Sequence, residues 1–120
     1  MFFTVQAGVE GVHMTLKERI GVDTGQKLSI AEAVEWAAEN DVHYVDVCLD
    51  GGPIDPEQYT ESEVESIRET CAEADVSLGL HTLSAVNVAE TSAHVDDAVD
   101  EYLRAYVDIG DLVGADRIIV

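Results

Sequence analysis

Short β-prone runs alternate with segments of helical periodicity along this chain, and that alternation limits its fold more than any other feature. Residues 2–6 (FFTVQ) form the first such run. A connection over residues 7–28 follows, and structureless loops above about 12–15 residues are uncommon in compact domains unless they are functional or disordered. Ser29 opens a helix, with Glu32 three residues on to complete a capping box. Ile30, Ala33, Val34 and Ala37 give that helix its apolar stripe, and it ends near Asn40. Residues 44–49 (YVDVCL) read as the second strand, stopped by the turn sequence Asp50-Gly51-Gly52-Pro53. A second capping box, Thr60 with Glu63, begins a helix striped by Val64, Ile67, Cys71 and Ala74. Residues 76–83 (VSLGLHTL) are the third strand. A long helix over residues 92–113 then repeats Val95, Ala98, Val99, Tyr102, Tyr106, Ile109 and Val113 at three and four, with Gly114 as its C-terminal cap. Residues 117–120 (RIIV) begin a fourth strand.

Strands joined through helices must run parallel, with the helices laid on the sheet as crossovers. Two architectures satisfy that pattern: a doubly wound sheet and a (β/α)8 barrel. The final strand is apolar with no helix after it to cover it, and buried parallel strands need that cover. A whole barrel takes about 250 residues, roughly twice this chain. The expectation is therefore an α/β fold, a parallel β/α repeat forming the first half of a (β/α)8 TIM barrel. It has about four strands and three helices in a single domain, 1–120, completed by further sequence or by another chain.

The charge bounds the partners. Twenty-five acidic residues stand against six Lys or Arg, for a formal net charge of −19. The acids are spread over several helices rather than gathered in one block, which reads as a solvated surface adapted to a salt-rich, halophilic cytoplasm. A nucleic-acid partner is disfavoured, because no basic stripe exists to displace counterions. No apolar run approaches the length of a membrane span, and the start of the chain lacks the basic and apolar regions of a secretory signal. Cys48 and Cys71 form no metal-type pair and read as small buried hydrophobes in a reduced, cytoplasmic setting.

In a barrel, reactive side chains collect at the C-terminal ends of the strands and in the loops that follow. On that face the sequence places Gln6, Asp50, His81, Ser84 and Asn87, with Glu10 and His13 in the first loop. His81, late in the third strand, is placed to ligate a divalent metal or bond a substrate hydroxyl. Asp46 alternates with apolar neighbours and is expected to face the interior, where it needs a partner. His43 falls at the opposite end of the sheet, His94 in a solvated first helical turn, and Trp36 beside the stripe of its helix.

The segment His81-Thr82-Leu83-Ser84-Ala85-Val86-Asn87-Val88-Ala89, followed by a long helix and then Leu112-Val113-Gly114-Ala115-Asp116-Arg117-Ile118-Ile119-Val120, resembles the xylose-isomerase-like barrel superfamily. Its members include metal-dependent sugar and sugar-phosphate isomerases and epimerases, and barrel-type apurinic endonucleases. The resemblance spans most of the chain but is poorly specific for any one reaction. It implies that His81 is a metal ligand or a substrate neighbour and that Asn87 fixes a loop. It implies a divalent metal (Mn, Mg or Zn) in the full-length parent, and a sugar or sugar phosphate as small-molecule partner. The metal-holding acids and histidine of the isomerases end strands five to eight, beyond this chain. The expected function is the N-terminal part of a sugar or sugar-phosphate isomerase/epimerase, inactive as this fragment. The alternatives are an apurinic endonuclease half, and a non-catalytic half-barrel that self-associates as a homo-oligomer.

Overall fold

The computed structural model describes residues 15–50, 54–82 and 86–120. Strands β1 (Gly21–Asp23), β2 (Tyr44–Cys48), β3 (Ser77–His81) and β4 (Arg117–Ile119) alternate with helices α1 (Ile30–Glu39), α2 (Glu61–Ala74) and α3 (Ala93–Val113). Single 3-10 turns at Lys17–Arg19 and Pro56–Gln58 precede β1 and α2.

Helices α1 and α2 begin at side-chain caps, whereas Ser92 makes no side-chain capping bond at the start of α3. At α1 the capping box is complete: Ser29 Oγ accepts from the Glu32 amide at 3.1 Å, and the Glu32 carboxylate accepts from the Ser29 amide at 3.1 Å. Thr60 Oγ1 accepts from the Glu63 amide to start α2. Gly114 ends α3 at φ 77°, a left-handed conformation that costs glycine little. The last carbonyls of α3 are taken up by α2: the Arg68 guanidinium donates to Leu112 O and Asp111 O.

The sheet runs in the order β1-β2-β3-β4, each pair parallel. A doubly wound sheet reverses its strand order at a switch point and carries helices on both faces. Here the order advances in one direction, and crossovers of one hand keep every helix on the same side. Val45, Val47, Leu78 and Leu80 point to that side and are at most 1% exposed. They share one core with Ile30, Ala33, Val34 and Ala37 of α1, Ile67 of α2, and Tyr106, Ile109 and Val113 of α3. The architecture is that of half a β/α repeat fold.

Two expectations change. The connection over residues 7–28 contains β1, a three-residue strand whose Gly21, Val22 and Asp23 register with Tyr44, Val45 and Asp46. Gly-Val-Asp is too short for a periodicity to show, and pairing with β2 rather than propensity makes it a strand. The run at residues 2–6 lies outside the described residues. The apolar stripe of α3 is also used only in its C-terminal half: Val95 is 46% exposed while Tyr106, Ile109 and Val113 are buried. A 21-residue helix spans about 31 Å and a five-residue strand about 17 Å, so α3 outruns the sheet it covers.

Candidate functional site

Alternate residues of the strands point away from the helices and build a second, polar face. Register aligns Asp46 of β2, Gly79 of β3 and Arg117 of β4 in one row across the sheet. Arg117 Nη2 lies 2.6 Å from Asp46 Oδ1, and Nη1 donates to Ser77 Oγ at 2.8 Å. Ser77 in turn donates to Asp116 Oδ2 at 2.7 Å. The guanidinium carbon stands 5.7 Å from the centroid of the Tyr44 ring, within reach of a cation–π contact. Gly79 makes the row possible, because a Cβ there would collide with Asp46 Oδ1 and stand 2.9 Å from Arg117 Nε. Asp46 thus has the partner its inward position demands.

The C-terminal ends of the strands form a rim. After β1 the backbone stays paired with β2: Thr24 N donates to Asp46 O, and Cys48 N to Gly25 O, each at 2.9 Å. After β2 comes Asp50, whose carboxylate is held from the far side by α3. Tyr102 Oη and Tyr106 Oη donate to Asp50 Oδ2 at 2.8 and 2.9 Å, and Cys48 Sγ lies 3.4 Å from the same oxygen. Tyr106 Oη also accepts from the Leu49 amide at 3.1 Å. Burial above all, and then the bond to Asp50, raise the Tyr106 hydroxyl far above the ordinary phenol range. It therefore stays a protonated donor. At the end of β3 stands His81, whose imidazole makes no hydrogen bond among the described residues, and after it Thr82, whose buried Oγ1 has no partner among them.

A groove of about 470 Å³ opens between the β1–α1 and β2–α2 loops, beside Asp50. Gln26, Lys27, Asp50, Asp55 and Gln58 supply its polar wall, and Leu28, Leu49, Ile54 and Tyr59 its apolar one.

Among the residues singled out from sequence, His81 and Asp50 both sit on the rim. Gln6, Ser84, Glu10 and His13 lie outside the described residues. Asn87 turns on its own loop, its Oδ1 accepting from the Ala89 amide at 3.1 Å. His43 is three-quarters buried at the opposite end of the sheet, its Nδ1 2.9 Å from Asp75 O. Cys71 is half-buried, and that burial raises its thiol.

Sequence reasoning passed over Tyr102, Tyr106 and Arg117. The tyrosines fit an apolar helical stripe, and Arg117 opened an apolar strand. A signal existed for Arg117: it is a cation opening the β-prone run Ile118-Ile119-Val120, and Asp46 needed one.

The divalent metal that the resemblance implies for a full-length parent finds no complete ligand set among the described residues. Among the described residues, no three His, Cys, Asp or Glu side chains gather as an ion requires. Among the described residues, His81 belongs to no such group.

A scan against protein-family models and searches of curated proteins and of solved structures returned no match to this chain.

Proposed function

We propose that this chain forms the substrate-side wall of the first half of a (β/α)8 barrel that isomerises or epimerises a sugar or sugar phosphate. The observation that carries the reading is the one-way strand order. It leaves a polar face opposite the helices and gathers Asp50 and His81 on the C-terminal rim. Ligands of such barrels bind on that rim. The resemblance through His81, Asn87 and the Leu112–Val120 segment supports the same class.

Isomerisation moves a proton beside a carbonyl, which needs a base near the substrate carbon and stabilisation of the enediolate oxygen. The described rim offers one imidazole without a hydrogen-bonded orienting partner and one carboxylate already held by tyrosines. Such a set can bind and orient a hydroxylated substrate, with His81 reaching a substrate oxygen. Proton transfer then belongs to the strands that complete the barrel, and the 120-residue chain alone is expected to be inactive.

The test is solvent exchange. The native protein from its source is incubated with aldoses, ketoses and their phosphates in D2O. Deuterium appearing at the carbon next to the carbonyl supports the reading, as does its loss in His81→Ala. Cleavage of abasic DNA without exchange would assign the chain to the endonuclease branch. A stable, metal-free dimer lacking both activities would leave the non-catalytic half-barrel.

A further inference from the structure

We draw no further inference here: the strongest candidate, the groove that Val22, Leu28 and Trp36 line beside the edge strand β1, is an apolar surface for which nothing among the described residues shows what covers it.

Discussion

The two faces of the sheet are made by the same strands and differ by one residue of register, yet they reach opposite states. Toward the helices, Val45, Val47, Leu78 and Leu80 are sealed in a continuous apolar core. Away from them, Tyr44, Asp46, Ser77 and Arg117 are only half-buried and joined through hydrogen bonds and one ion pair. The helix-covered face is complete in itself and folds the chain. The polar face is held in order but left uncovered by the described residues, which suits the proposed lining of a barrel whose remaining strands come from elsewhere. The function proposed above rests on the second face, because its rim carries His81 and its edge carries Asp50.

The difference can be broken from either side, and the covered face should respond most. Leu80→Ala removes a fully buried side chain from the core and is expected to cost about 2–5 kcal/mol in urea unfolding. Next comes Gly79→Ala, on the polar face of the same strand. Its added methyl meets Asp46 Oδ1 and Arg117 and should cost about 1–3 kcal/mol. If it costs nothing, the row Asp46-Gly79-Arg117 is not the packed layer described above. Asp46→Asn should cost about 1 kcal/mol, more than a surface pair and less than a fully buried one, because the two side chains remain 24% and 32% exposed. The double variant with Arg117→Met should recover part of that loss.

Charge and pH sharpen the comparison with smaller effects. Raising salt from about 0.1 to about 1 M shortens the screening length from about 10 to about 3 Å, and thermal stability should rise as the surface acids stop repelling one another. At the start of α1, the hydrogen bond from the Ser29 amide holds the Glu32 carboxyl below its ordinary value of 4.5. A depressed folded value means that its contribution is full above the ordinary range and is lost as pH falls through the lowered one. Glu32→Gln keeps the reach to Ser29 but cannot titrate, so it should remove that part of the acid limb from a plot of urea midpoint against pH.

Most of the fold was readable because its signals are local. Ser29 with Glu32, the stripe from Ile30 to Ala37, and Gly114 after α3 each act within a few residues of chain. What escaped depends on partners far away in sequence. Gly21–Asp23 is a strand only because β2 lies beside it. Tyr102 and Tyr106 read as two more apolar stripe positions, since nothing local shows that their hydroxyls meet a carboxylate more than 50 residues earlier. Asp46 announced a need for a partner without naming it, and Arg117, 71 residues on, supplied it. On the rim, His81 and Asp50 were legible from their places at strand ends, whereas the groove beside Asp50 exists only once two loops are brought together.

The measurement that tests the central claim most directly is the native mass of the protein purified from its source, by light scattering on a size-exclusion column. If the polar face is the lining of a barrel, the particle should be about twice the 13.0 kDa of this chain or more, as one longer polypeptide or as an assembly. A folded, monodisperse particle of 13.0 kDa with a sharp unfolding transition would contradict the account, since the polar face would then be a finished surface.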